Sequence, residues 1–481
     1  MTASPAPGAA GPLAPALVRS ILFGVLLAMF LSALDQTIVA TALPTIGADL
    51  GDADLLPWVV TAYLLTSTAV TPLYGKLSDI HGRRPVLISA ILIFILGSVA
   101  CAVAPTMLGL ILARAVQGLG GGGLIAISQT VIADIATPRE RMRFMGYISS
   151  VFMVSSIAGP VLGGVFAEHL HWSLIFWINV PLGGLALALT YDRLRHLPRV
   201  AHPHKLDYLG AVLMFGATIL LLFLLENGGR NFAWTAPEAL GLAAAALLAW
   251  GLFSWRIARA PEPFLPLSVL FEPVVIRVTI ASFFTMGVFI ALIIYVPVYL
   301  EMGIGLPAAR SGLAMMPMML MTVVGSASTG KVMARVKHYK RPPLIAQGIA
   351  ALVLASFAVL PPTQLVDILL RLMVVGFGIG TCFPVMTVSV QNAVPPHQVG
   401  TATAVMNFFR SLGGAILVAG FGAMLLGPGG ETGGFPADVA ARFPLIFAAA
   451  AACLGIGFLA FLMMEERPFR ERHQPVPPAE G

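Results

Sequence analysis

The sequence predicts an all-α integral membrane protein whose fourteen transmembrane helices group as six, two and six. Of the 481 residues, 58% are hydrophobic and only 10% charged, where a water-facing globular chain carries about 25% charged residues. Fourteen apolar runs each reach the roughly 20 residues that a helix needs to cross a bilayer. A weak internal repeat also relates the early and late parts of the chain. At this length only helices satisfy their own backbone in lipid.

The runs begin near residues 18, 57, 85, 106, 144, 172, 207, 236, 274, 308, 343, 365, 401 and 442. Ahead of the first, MTASPAPGAAGPLAPAL has no basic residue, which argues for a tail before a retained helix and against a cleaved signal peptide. Residues 1–17 are thus expected to be a disordered tail. Residues 18–195 form a first six-helix half, 196–260 two inserted helices with their linkers, and 261–464 a second six-helix half. The Pro-rich, polar 465–481 is a second disordered tail.

With the N-terminus inside, Lys76, Arg83, Arg84, Arg139, Arg141, Arg143, Arg256, Arg259, Lys331, Lys340 and Arg341 all fall at inner helix ends, and Arg230, Arg310 and Arg442 fall outside. Positive charge marks the cytoplasmic side, so both termini are expected in the cytoplasm of a bacterial plasma (inner) membrane. The formal charge of +6 is then membrane topology, with no nucleic-acid partner implied. Cys101, Cys382 and Cys453 lie in apolar runs and read as small buried hydrophobes.

The repeat sets GKLSDIHGRRPVL (75–87) against GKVMARVKHYKRPPL (330–344), ARAVQGLGGG (113–122) against LRLMVVGFGIG (370–380), and Pro138 against Pro395. The offsets, 330 − 75, 370 − 113 and 395 − 138, are 255, 257 and 257 residues. Internal repeats of this kind mark secondary transporters, with the substrate site between the halves.

Several residues stand out against this apolar background. Asp35 closes a run that is apolar from Ile21 except for one serine. A charge at membrane depth is costly and burial favours the neutral carboxyl group, so Asp35 is a candidate proton carrier; the plainer reading is a solvated residue near a helix end. Arg114 and Arg410 are intramembrane arginines and keep their charge at any working pH. Either is a candidate partner for Asp35, or else a structurally paired or snorkelling residue. Asp79, Arg83 and Arg84 lie in a short turn with Gly75 and Gly82, and Asp134 ends the fourth helix. They are expected to form an ionic gate, the alternative being topology alone. Gly159, Pro160, Gly163 and Gly164 share the fifth helix, as a hinge and seal or as ordinary close packing. Glu226 and Glu301, at outer helix ends, are candidate second acidic sites or simply wet interfacial residues. Trp58, Tyr63, Met315, Met319 and Phe408 are candidate pocket residues, although such side chains more often only pack.

GKLSDIHGRRP resembles the signature of the major facilitator superfamily between its second and third helices, met at Gly75, Leu77, Asp79, Gly82, Arg83 and Arg84. SSIAGPVLGG (155–164) resembles the fifth-helix element of its antiporters. LDQTIVATALP (34–44) resembles the first-helix signature of the fourteen-helix drug:proton antiporter family (QacA/EmrB type), with Ala40 where Asn is usual. The resemblance implies a major facilitator fold and a multidrug antiporter, driven by the proton gradient without a cofactor, that exports amphipathic, often cationic small molecules by alternating access. It implies proton handling by Asp35 and Arg114, and FFR at 408–410 recurs in that family. The tenth and thirteenth helices lack the core acids of some relatives. A dedicated exporter of one metabolite, siderophore or lipid is the alternative.

An enzyme is not expected, and no catalytic or metal-binding set is assigned. The nine histidines fall mostly in loops and tails without ligand spacing, and GLGGGG (118–123) lacks the Gly-Lys-Ser/Thr ending of a phosphate loop. The expected partners are a small-molecule substrate, protons and the lipid bilayer, with the monomer as the working unit.

Overall fold

The computed structural model describes residues 14–52, 55–196, 206–229, 232–333, 338–362, 364–426 and 439–468. The two expected tails, Arg230 and part of the second-copy loop therefore fall largely or wholly outside the described residues. Among those described, fourteen helices are long and apolar enough to cross a membrane: α1 (Pro15–Leu50), α2 (Leu56–His81), α3 (Arg83–Ala102), α4 (Met107–Ile135), α5 (Pro138–His169), α6 (Leu174–Arg195), α7 (Tyr208–Asn227), α8 (Pro237–Arg259), α9 (Pro273–Ile304), α10 (Arg310–Val332), α11 (Arg341–Val359), α12 (Leu365–Ala393), α13 (Pro396–Leu425) and α14 (Ala441–Met463). No strand forms among them, only an isolated bridge between Gly228 and Phe232. α5 and α13 begin several residues before their apolar runs, because their first turns are polar or Pro-rich. At α5 a capping box, Thr137 with Glu140, satisfies the first N–H groups.

The repeat is visible in the packing. α4 lies between α2 and α3, and α12 lies between α10 and α11. α5 packs along α1, and α13 along α9. The glycine run of α4 has a physical cause here: a Cβ at Gly120 would meet the α3 backbone at Phe94, and one at Gly122 would meet the Ser67 carbonyl of α2. Gly378 and Gly380 do the same for α11 and α10. Such close backbone approach substitutes for the hydrophobic drive that lipid removes.

The halves meet through two reciprocal crossings, α2 on α13 and α5 on α10. Gly75 meets Gly400 and Ala404 across the first, and Gly330 meets Met142 and Arg143 across the second. Gly75 is therefore an interior residue of α2 that permits a helix crossing, not part of a turn; the repeat of Gly75 at Gly330 is a repeat of the crossing. Gly82, at φ +87°, is the turn residue. α7 and α8 pack on each other and attach at the side through α2 and α13. Trp58 against Phe223 (5.1 Å) and Trp250 against Phe408 (6.3 Å) supply part of that attachment.

Candidate functional site

A cavity of about 1730 Å³ lies between the halves. Ser32, Gln36 and Thr61 line it from one half, and Phe289, Met319 and Arg410 from the other. It extends to Gly229, Trp234 and Thr235 in the loop after α7, on the face opposite the chain termini. Of the five expected pocket residues, only Met319 lines it. Met315 is core, 4% exposed within the second half. Phe408 is 2% exposed in a cluster with Leu65 and Leu222, on the side where α7 and α8 attach, and Trp58 packs against the same cluster. Tyr63 lies one layer behind the wall, its hydroxyl 3.0 Å from Ser32 Oγ.

Behind that wall is a buried charge cluster. Asp35 and Arg114 have side chains 0% and 1% exposed, and Arg114 Nη1 donates to Asp35 Oδ2 at 2.6 Å. Asp35 Oδ1 accepts from Gln117 Nε2 (2.8 Å) and Asn179 Nδ2 (3.2 Å). Arg114 also donates from Nε to the Val59 carbonyl (2.9 Å) and from Nη1 to Gln117 Oε1 (2.6 Å), and its guanidinium sits 4.4 Å from the Tyr63 ring centroid. Ser98 Oγ accepts from Gln117 and Asn179. The cluster draws on α1, α2, α3, α4 and α6. Asp35 is no helix-end residue, because α1 runs on past it through Pro44 to Leu50.

The pairing excludes Arg410 in this state. Arg410, on α13, has no hydrogen bond or ion pair to a described residue; its Nε and Nη2 are buried without partners, and its contact is the Phe383 ring at 5.4 Å.

The cavity is closed towards the terminal face by contacts between the halves. Nearest the cavity, Asn407 donates to Gln129 Oε1 (2.8 Å), and the Ser149 and Ser326 hydroxyls bond at 2.7 Å. Beyond the glycine crossings, Asp79 caps a helix of the opposite half. It accepts from Gly400 N (3.1 Å), Thr401 N (2.6 Å) and Thr401 Oγ1 (2.6 Å). Those amides begin the helical part of α13 and have no intrahelical acceptor; a carboxylate there also meets the positive end of the helix dipole. The repeat explains why α13 needs an outside cap: Val394 and His397 stand where α5 has Thr137 and Glu140. Arg83 holds Asp79 at 2.5 Å and Asp134 at 2.8 Å. Arg84 does not join this set. It donates to the Tyr191 carbonyl (2.8 Å) and stacks on the Tyr191 ring (4.6 Å), tying α3 to α6 within one half.

Gly159 and Gly163 seat α5 directly on α1 at Thr37, Ile38 and Thr41, where Thr37 Oγ1 donates to the Ser155 carbonyl at 2.9 Å. Pro160 is exposed, and the space beside Gly164 is open. Gly159→Val is therefore expected to cost about 1–3 kcal/mol from overpacking and Gly164→Val almost nothing, read as thermal midpoints of the two purified variants. Equal midpoints would remove the seam from the account. Glu226 lines the far end of the cavity and accepts from Thr61 Oγ1 at 3.3 Å. Glu301 is exposed, accepts from Ser311 Oγ at 2.5 Å across the α9–α10 turn, and lies outside the cavity wall.

Gln117, Ser98, Asn179, Gln129 and Asn407 were absent from the expectations. Each is a polar side chain within a membrane-spanning segment, and buried polar groups require partners; that was the available signal. Among the described residues no cluster of His, Cys, Asp and Glu could hold a metal ion. Cys101, Cys382 and Cys453 are free thiols.

A family model described as the Major Facilitator Superfamily matches residues 25–418. Multidrug resistance protein 3 of Bacillus subtilis is 33% identical over 412 residues, covering 84% of this chain and 79% of the relative. Multidrug transporter protein MdtP of the same organism is 34% identical, covering 84% and 75%. An uncharacterized MFS-type transporter of Mycobacterium tuberculosis is 35% identical over 88% of this chain, which spans 62% of that relative's length. Among solved structures, a bacterial homologue of the iron transporter ferroportin in an outward-facing state superposes with TM-score 0.66 at 13% identity, over 93% of this chain and 98% of the other. The proton:xylose symporter XylE gives 0.62 at 15%, over 93% and 95%. These two likenesses concern the fold.

Proposed function

The chain belongs to the major facilitator superfamily of membrane transporters, and from that premise we propose that it is a proton-coupled antiporter exporting amphipathic small molecules by alternating access. The observation that carries this reading is the fully buried Asp35–Arg114 pair one layer behind the wall of the central cavity. Multidrug names among the relatives support the efflux direction.

In this reading positive-inside charge assigns the terminal face to the cytoplasm of a bacterial plasma membrane, and the cavity, sealed towards that face by the contacts between the halves, is read as facing outward. A proton arriving on Asp35 cancels its attraction for Arg114. Arg114 then remains held by the Val59 carbonyl, Gln117 Oε1 and the Tyr63 ring, so losing the ion pair does not strand it. The change passes along α1 to its seam with α5, where Thr37 grips Ser155, and α5 carries Ser149 of the inner seal. Protonation and cargo thereby bias the same inner closure, which is what coupling requires.

The test is cargo movement in proteoliposomes under an imposed pH gradient, first with ethidium and then with a panel of amphipathic compounds. Asp35→Asn is expected to bind cargo but to show no gradient-driven transport above empty vesicles. Transport by Asp35→Asn at the wild-type rate would remove Asp35 from the coupling role. A cavity of about 1730 Å³ exceeds the roughly 300–1,000 Å³ of ordinary ligand sites, which favours broad export over a single dedicated metabolite. Transport of one compound alone from the panel would reverse that preference.

A further inference from the structure

Among the described residues that line the cavity, the charged side chains are one acid, Glu226, and one base, Arg410. Asp35 is neutralised by Arg114 and lies behind the wall. Glu226 lines the end of the cavity near the α7–α8 loop. About midway along α13, the charged side chain on the wall is Arg410, which has no hydrogen bond or ion pair to any described residue. Arg114 and Arg371, also in spans, each hold a carboxylate. A guanidinium does not shed its charge to escape burial, and an unpaired cation at membrane depth is costly.

We propose that Arg410 binds a negatively charged group of the transported molecule, a carboxylate, sulfonate or phenolate on an apolar scaffold. The surroundings fit such an amphipathic acid. Phe383, whose ring centroid lies 5.4 Å from the guanidinium, pairs edge-on with Phe289 at 6.1 Å, and both rings line the cavity. They form a face for the scaffold beside a forked donor for the acid. Asn407, three residues before Arg410 and so on nearly the same face of α13, makes the inter-half bond to Gln129. An anion on Arg410 is therefore held next to the seal that must open to change access. The proposal rests on the transporter reading only in taking this cavity as the cargo site.

The test uses fluorescein and rhodamine 123, which share a xanthene scaffold but carry opposite charge. Their binding to the purified full-length protein in detergent is followed by fluorescence anisotropy, with no gradient present. Wild type is expected to bind fluorescein at least about tenfold more tightly than rhodamine 123, the scale of a charged hydrogen-bonded contact. Arg410→Gln is expected to lose that margin while binding rhodamine 123 as well as before or better, and Arg410→Lys to fall between. Arg410→Met serves if the glutamine variant is not monodisperse. The proposal is overturned if wild type prefers rhodamine 123 or binds neither probe, or if the neutral variants keep fluorescein or lose both probes equally. If the binding pattern holds while wild-type proteoliposomes ignore the proton gradient, the antiport reading fails and the anion site stands.

Discussion

Arg114→Met should destabilise the protein by about 3–5 kcal/mol, the cost of removing one partner from a buried ion pair. Methionine fills much of the same volume, so the loss is electrostatic rather than a cavity. It leaves Asp35 fully buried without its cation and removes the Arg114 donor from Gln117 Oε1 and from the Val59 carbonyl. The expected result is a large drop in the thermal midpoint of the detergent-purified protein. Adding Asp35→Asn should recover much of it, because the double variant buries no isolated charge. A single variant that melts within about 0.5 kcal/mol of wild type, as surface changes do, would show that the pair does not hold α1 to α4.

Asp79→Ala should open the terminal face. The variant removes the acceptor of three hydrogen bonds from Gly400 and Thr401 and half of the grip of Arg83. Hydrogen bonds to a charged group contribute about 1.5–3 kcal/mol each, and a bias of about 2–3 kcal/mol shifts a two-state equilibrium by roughly 30- to 150-fold. A cysteine at Ser326, 0% exposed in the inner seal, is the reporter. Its labelling by a membrane-impermeant maleimide from the terminal face should rise at least about tenfold when Asp79→Ala is added. The parent without the reporter gives the background from Cys101, Cys382 and Cys453. Unchanged labelling would leave Asp79 as a topology charge only.

Much of this was legible because it is local. Membrane thickness sets the length of an apolar run, so the fourteen spans could be counted, and their starts agree closely except where polar or Pro-rich first turns extend α5 and α13. The turn at Gly82 and the Asp79–Arg83 pair also depend on close neighbours along the chain, and Asp134 reaches Arg83 from the inner end of α4. Gly75 and Arg84 were misjudged for the opposite reason. Each looks like part of the same turn, but one meets Gly400 across the halves and the other meets Tyr191 of α6.

The sequence by itself determined the membrane setting, the helix count, the repeat and the presence of charges that lipid cannot tolerate alone. Only the tertiary structure decided which charges meet. Arg114 and Arg410 are chemically the same residue in similar apolar helices, and nothing along the chain tells which one faces Asp35. The answer depends on rotation and contact between helices far apart in sequence: α4 turns Arg114 inward against α1, and α13 turns Arg410 to the cavity. The same holds for the pocket, where Met319 reaches the cavity and Met315, one turn away, is buried in the core. Hydropathy is a property of each segment, whereas a binding site is a property of how the segments face one another.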